Sequence, residues 1–331
     1  MAVKVRGKTP VTHAPSTPSA GTLTDAMKDA IRRSGYLMEQ RLVPLLGEYG
    51  FFATPNDGFI DPETGGAREI DILGIAGRSV RGRGGVIEGL FPVLLIECKN
   101  LQAPLVFFTQ DQIPAKEVSG APYVSGGPLQ VRWRGRIRDL LDFLDIESFH
   151  HYYRTRRLAS QFCAVYRKGK GQEAHWVASH TVDGPGNLYE GMVLPLIKAL
   201  EAAHREHTAS WEPDPKVETI NLQFYWPILV LSGPLWECFV GGARPRYRRV
   251  NRVQFVRRHE SEKLSGVYRI DVVTETGLRR LLDTIAKEVD ELERRLQRHR
   301  RLLISAAREI AAEAVKPVRR RPGTGQRRPR K

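Results

Sequence analysis

Met27, Ile31, Ser34, Met38, Leu42, Leu45 and Tyr49 follow one another at three- and four-residue intervals, the spacing that gathers side chains on one face of an α-helix. Thr24 precedes the run as an N-cap with Asp25 in the first turn. A helix is therefore expected from there to Tyr49, kinked where Pro44 removes a backbone donor. The pattern then shortens. Residues 59–61 and 67–75 read as two strands joined by the turn "PETGG". Val93-Leu94-Leu95-Ile96 has the length and composition of a buried strand, expected over 91–98. Between these strands, "GRSVRGRGGVIEG" (77–89) is rich in glycine and carries Arg78, Arg81 and Arg83, as a basic loop or hairpin tip would.

Residues 101–130 hold four prolines and read as irregular. A helix is expected over 135–150, carrying Ile137, Leu140, Leu141, Leu144 and Phe149. Strands follow at 161–167 and 174–180, a helix at 187–206, and strands at 221–231, 235–240, 251–257 and 267–273. The last helix, 277–315, places Leu278, Leu282, Ile285, Val289, Leu292, Leu296 and Leu303 largely at four-three spacing, a seam for a homodimer or for its own domain. The irregular alternation predicts an α/β fold: a mixed central sheet with flanking helices and a long C-terminal helix. Four regions are expected: a disordered basic tail (1–22), a core (23–180), an additional α/β region (181–315) and a second basic tail (316–331).

The chain has 331 residues, 41% apolar, enough for one large core or two smaller ones. No stretch approaches the roughly 18 apolar residues of a membrane span. The first twenty residues lack a signal peptide's apolar core, and three widely spaced cysteines suit reduced thiols. These features predict a cytoplasmic protein without membrane contact. The net charge of +15 is concentrated at the ends: "KPVRRRPGTGQRRPRK" supplies +8 and the first twenty residues +3, leaving about +4 for the body. Such tails attract polyanions. "RWRGRIR" (132–138), with Arg132, Arg134 and Arg136, is a phosphate-contact candidate, as is "ARPRYRR" (243–249), which reads as a loop. "ESFHHYYRTRR" (147–157) reads as a helix end with a solvated basic face or as a stacking surface for nucleic acid; His150 and His151, being adjacent, are expected to diverge.

The stretch "VLLIECKN" (93–100) raises the chemical question, because its apolar run ends in Glu97-Cys98-Lys99. Residues i and i+2 of a strand share a face, so Glu97 and Lys99 point together and Cys98 points away. In "REIDILG" the same rule groups Glu69 with Asp71 and turns Ile70 and Ile72 to the core. If these strands pair, acids oppose acids, and apposed carboxylates repel unless a proton or cation lies between them. Mg²⁺ suits such oxygens and takes phosphate as a further ligand, while a nearby lysine can orient water or hold developing charge. The competing reading is a plain Asp71–Lys99 salt bridge; turn chemistry alone accounts for Asp57 and Asp61.

This arrangement resembles the PD-(D/E)xK phosphodiesterase superfamily: an acid on a first helix (Glu39 in "GYLMEQRL"), a strand aspartate (Asp71), then E-x-K on the next core strand (Glu97 and Lys99). The resemblance covers roughly residues 24–110. It implies a restriction-endonuclease-like core and a Mg²⁺-dependent nuclease, with Mn²⁺ as substitute. Asp71 and Glu97 would be metal ligands, Glu39 an outer ligand, and Lys99 the base or charge stabiliser. Ile70 stands where the motif name has proline, the step from Asp71 to Glu97 is 26 residues long, and the Gln-x-x-x-Tyr element of some exonuclease branches is absent. No nucleophile elbow, phosphate-binding lysine loop or dinucleotide fingerprint occurs. The expected function is therefore a DNA endonuclease of defence or repair. RNA is the alternative substrate, an unidentified partner subunit is allowed, and a catalytically silent nucleic-acid-binding scaffold is the alternative class.

Overall fold

The computed structural model describes residues 23–81, 87–111, 122–180, 187–210, 216 and 220–315. The two basic tails and Arg83 lie outside these residues. Two helices stand where one was expected: α1 (Asp25–Arg33) and α2 (Tyr36–Glu48) part at Gly35, whose φ of 91° is open to glycine and strained for other residues. α2 buries Met38, Leu42 and Leu46, but Met27 and Ile31 on α1 are exposed, so the stripe seals only its second half. Pro44 sits inside α2 without ending it.

Strands β1 (Phe52–Ile60) and β2 (Ala67–Ile75) form an antiparallel hairpin, and β1 takes in Asp57, which was expected in a turn. Strand β3 (Arg78–Arg81) pairs antiparallel with the start of β4 (Ile87–Lys99), so the described ends of the 77–89 stretch belong to the sheet. Among the described residues of 101–130, expected to be irregular, β5 (Leu105–Asp111) and β6 (Tyr123–Ser125) join the sheet, because Pro104 and Pro122 precede these strands rather than interrupt them. The helix expected over 135–150 is helical only in short turns from Leu140 on; its start belongs instead to a hairpin, β7 (Gln130–Trp133) and β8 (Arg136–Asp139). Its two turn residues, Arg134 and Gly135, both adopt positive φ (49° and 76°), the twist a two-residue hairpin requires. Short helices α3 (Leu140–Phe143) and α4 (His151–Arg154) follow.

Strands β9 (Arg157–Lys168) and β10 (His175–Ser179) precede a π-helical turn leading into α5 (Leu194–Ser210). Then come β11 (Asn221–Leu231), β12 (Leu235–Phe239), β13 (Arg246–Val250), β14 (Arg252–Glu260), β15 (Ser265–Thr274) and α6 (Glu275–Val315). β13 occupies the expected 243–249 loop. It closes the sheet with exposed arginines, a composition that blunts an edge strand.

The fold is mixed α/β. Its large sheet runs β1-β2-β4-β11-β15-β14-β9-β5-β12-β13, with β3, β6 and β10 attached to β4, β11 and β9. Strands from either side of residue 180 pair directly: β11 lies parallel to β4 over its whole length and parallel to β15 at its end. "NLQFYWPILVL" is almost wholly apolar because β11 is covered on both faces. One face packs against α2 and α6, the other against α5. The Leu278–Leu303 seam of α6 is buried in the protein's own core, each large side chain contributing about 1.5–3 kcal/mol. No described helix is long and apolar enough to cross a membrane.

Candidate active site

The register places Lys99 beside Leu231 and Leu231 beside Thr274, so the carboxyl ends of β4, β11 and β15 share one sheet edge. Ligands of α/β folds commonly sit at this edge. The β2–β4 ladder ends at Ile72 with Ile96, which leaves Asp71 and Glu97 one step beyond it. Asn56, at φ 51°, interrupts the β1–β2 pairing opposite Asp71. Freed from the ladder, Asp71 turns a carboxylate oxygen to the next strand, where Oδ2 accepts the Cys98 backbone N–H at 2.6 Å.

On β4, Glu97 and Lys99 share the face of Val93 and Leu95 and lie alongside Leu229 and Leu231 of β11. That apolar flank buries Glu97, and Lys99 Nζ donates to Glu97 Oε1 at 2.5 Å. Cys98 points to the opposite face and packs in the core beneath α2 and α6. Asn100, next along the chain, ties this strand end down. Its amide donates to the Arg32 carbonyl at 2.6 Å, its oxygen accepts from Ser232 at 2.6 Å, and Ser232 N–H donates to the Lys99 carbonyl at 3.1 Å. Glu39, from the first turn of α2, is buried and completes the set.

These charges act on one another. Burial raises the Glu97 carboxyl to about 7; Lys99 opposes the rise, and Asp71 and Glu39 add to it. Burial also raises Glu39, with Asp71 adding and Lys99 opposing. Three carboxyl groups share this neighbourhood with one ammonium, which meets Glu97 directly, and hard oxygen donors of this kind suit Mg²⁺ or Mn²⁺. Glu39, Asp71, Glu97 and Lys99 thus lie near enough to act on one another's charges.

The arginines singled out as nucleic-acid contacts lie elsewhere. Arg78 is 4.0 Å from Asp290 and Arg132 3.6 Å from Glu309, both acids of α6 and roughly 28 Å apart along its axis at 1.5 Å per residue. Arg134 stacks over Trp133, and Arg136 is exposed on the same hairpin. Arg81 belongs to β3, and its side chain falls outside the described residues. Glu69 is exposed and lines a separate cleft with Arg68 and Arg205. Asp61 does cap its turn, accepting from the Glu63 and Thr64 N–H groups. It is also fully buried against Lys198, whose ammonium 2.9 Å away helps hold it down at about 2 despite that burial.

A second ionic cluster is one the sequence reading missed. His150 and His151 do not diverge: their rings stack at 4.8 Å, because the His150 backbone is extended (φ −68°, ψ 132°) rather than helical. Both are buried, against the expectation of a solvated helix end. His151 Nε2 meets Asp271 at 2.9 Å and Nδ1 meets Glu288 at 2.7 Å, while Arg252 grips the other Asp271 oxygen at 2.8 and 3.0 Å. Burial opposes protonation of His151, but Asp271 and Glu288 outweigh it and raise its pKa. Two cations then alternate with two anions across β14, β15, α4 and α6. Among the described residues, ligand atoms of His150, His151 and Glu288 converge within 4.8 Å, a group that could hold a metal. Both His151 nitrogens already face carboxylates, so a proton does the work of a cation there. Asp71, Glu97 and Glu39 do not converge this closely.

No protein-family model, curated protein or solved structure matches this chain.

Proposed function

We propose that the protein is a divalent-cation-dependent phosphodiesterase that cuts DNA internally, built on a restriction-endonuclease-like core. The observation that carries this reading is the meeting of Glu39, Asp71, Glu97 and Lys99, from one helix and two strands, at the carboxyl edge of the sheet. Asp71 and Glu97 would hold Mg²⁺, with Glu39 as an outer ligand. When bound, the ion supplies Lewis-acid polarisation of a phosphoryl oxygen and acidifies water.

The chain's own residues have separable roles. The Cys98 N–H fixes one oxygen of Asp71 and thereby aims the other away from the strand. Lys99, partly exposed beside Glu97, is placed to hold negative charge developing at phosphorus. Glu97, at about 7 in the metal-free site, would give up its proton to take Mg²⁺, so protons and metal compete for it near neutral pH. The apolar flank of Leu229 and Leu231 excludes water from one side. The closed Lys99–Glu97 pair favours a second reading, a nucleic-acid-binding protein in which this pair is only structural.

Purified protein incubated with supercoiled plasmid, linear duplex and RNA, in Mg²⁺ or in EDTA, separates these readings. Nicking of plasmid in Mg²⁺ alone is expected. Cleavage of RNA only would replace the substrate. Binding without cleavage of any substrate would overturn the enzymatic reading.

A further inference from the structure

The helices cover the sheet unevenly. The core beneath α2 and α6 takes side chains from β2, β4, β11 and β15 and, among the described residues, none from β5, β9, β10, β12 or β13. On their other side β5, β9 and β12 are packed: Leu105, Phe107, Ala159, Ala164 and Leu235 belong to the core beneath α5. Alternate residues of a strand point to opposite faces, so Val106 and Phe108 of β5 and Trp236 of β12 face away from α5. Cross-strand partners share a face, which sets them in rows. Cys163, Val106, Trp236 and Arg249 are successive partners over β9, β5, β12 and β13, and Gln161, Phe108, Cys238 and Tyr247 form the row beside them. Further along β9, Trp176 of β10 is paired with Arg167, about 13 Å from Cys163 at 3.3 Å per residue.

A sheet face left to solvent is ordinarily polar. This one is aromatic and apolar. Trp176 and Tyr247 are 70% and 66% exposed, Val106, Phe108 and Trp236 are half-buried, and none of the five belongs to either core. Its charges have one sign. Arg167 and Arg249 are exposed, and neither has a carboxylate partner among the described residues. The only acids of these five strands, Asp111 and Glu237, pair with Arg157 and Phe107 and so lie on the α5 side.

Rings with apolar side chains between them, beside unpaired arginines, match a single strand of nucleic acid: bases stack on the rings and phosphates meet the guanidiniums. A duplex keeps its base faces stacked inside and offers a flat aromatic surface little. Val106, Cys163 and Val165 on this face give a 2′-hydroxyl no strong partner, which favours DNA over RNA. We propose that the face formed by β10, β9, β5, β12 and β13 binds single-stranded DNA, with bases on Trp176, Phe108, Trp236 and Tyr247 and phosphates at Arg167 and Arg249. It shares no residue with the Asp71–Glu97 set and stands whether or not that set cuts DNA.

Anisotropy titration of the full chain in EDTA, which silences metal-dependent cleavage, decides the matter. The probes are labelled oligothymidylate, oligouridylate and a DNA duplex of equal length. Wild type is expected to bind oligothymidylate more tightly than either of the others. Trp176→Ala and Tyr247→Ala remove rings that belong to neither core, so Tm should hold. Each is expected to weaken oligothymidylate binding about fivefold or more and to leave duplex affinity unchanged. The basic tails are the same in every variant and cannot produce that difference. Arg249→Ala is expected to lower the slope of log affinity against log salt by about 0.7. The proposal is overturned by oligothymidylate bound no more tightly than duplex, by oligouridylate bound more tightly still, or by both ring variants binding as wild type does. Self-association of wild type that Tyr247→Ala abolishes would give the face to a second copy and overturn it as well. Plasmid nicking in Mg²⁺ is read separately, so failure here leaves the cleavage reading where it stood.

Discussion

Asp71 Oδ2 accepts the Cys98 backbone N–H at 2.6 Å, one residue past the last paired rung of β2 and β4. A side chain thus replaces the missing rung and brings a carboxylate to the E-x-K segment. Asp71→Asn keeps an acceptor for that N–H, and its unfolding free energy should stay within about 1 kcal/mol of wild type. Asp71→Ala leaves the N–H unpaired and should cost about 1–3 kcal/mol. Both should lower the cleavage rate by about 100-fold or more. Urea melts beside plasmid nicking check the pair; equal stability loss in the two variants would contradict the assignment.

Glu97 should make stability depend on pH. Its folded value, about 7, lies above the ordinary 4.5, so between these values the native state binds more protons than the unfolded chain. Stability from this group is therefore highest below pH 4.5 and falls as pH rises through 7, by on the order of 3 kcal/mol. Glu97→Gln should flatten thermal-melt profiles between pH 5 and 8. Mg²⁺ should raise wild-type Tm most at the alkaline end, where the carboxylate is ionised. An unchanged slope in Glu97→Gln would place the titration elsewhere.

His151 acts in the same sense as Glu97, and Asp271 in the opposite one. With its folded pKa raised above 6.5, its stabilising effect is complete below that value and is lost as pH rises through the folded pKa. Asp271, held low in spite of its burial by Arg252 and His151, stabilises above 3.8 and loses that effect as pH falls. His151→Phe keeps a ring but removes the group between two buried carboxylates, leaving Arg252 as the cation on Asp271 and Glu288 without the His151 ring, at a cost of about 3–5 kcal/mol. Because a proton joins these acids, EDTA should leave the Tm of Glu97→Gln, which lacks the proposed Mg²⁺ ligand, unchanged; a large drop in that variant would show that a metal holds the cluster.

The α6 seam predicts where its mutations act. Leu292→Ala should cost about 2–5 kcal/mol in a single cooperative unfolding step, because Leu292 is buried in the protein's own core. Sedimentation of the folded variant should match wild type. A change in assembly state without a change in Tm would assign the seam to a partner.

Patterns that depend on neighbours in the chain were legible in the sequence. Asn221–Leu231 reads as a strand because continuous apolarity survives Pro227, and parity alone pairs Glu97 with Lys99 and turns Cys98 away. What depends on distant packing was not. Arg134 gives no turn signal, yet its positive φ makes "RWRGRIR" a hairpin. A helical assumption at His150 hid a stacked pair that buries beneath α6. Gln254 looks like an ordinary strand residue until β15 and β9 enclose β14 and leave its amide buried.

Plasmid nicking by wild type, Asp71→Asn and Lys99→Ala, in Mg²⁺ and in EDTA, with each variant's fold verified by its melt, tests the proposed site most directly. The account predicts Mg²⁺-dependent nicking by wild type that both folded variants lose. Nicking retained by folded Lys99→Ala, or wild-type nicking indifferent to EDTA, would contradict it.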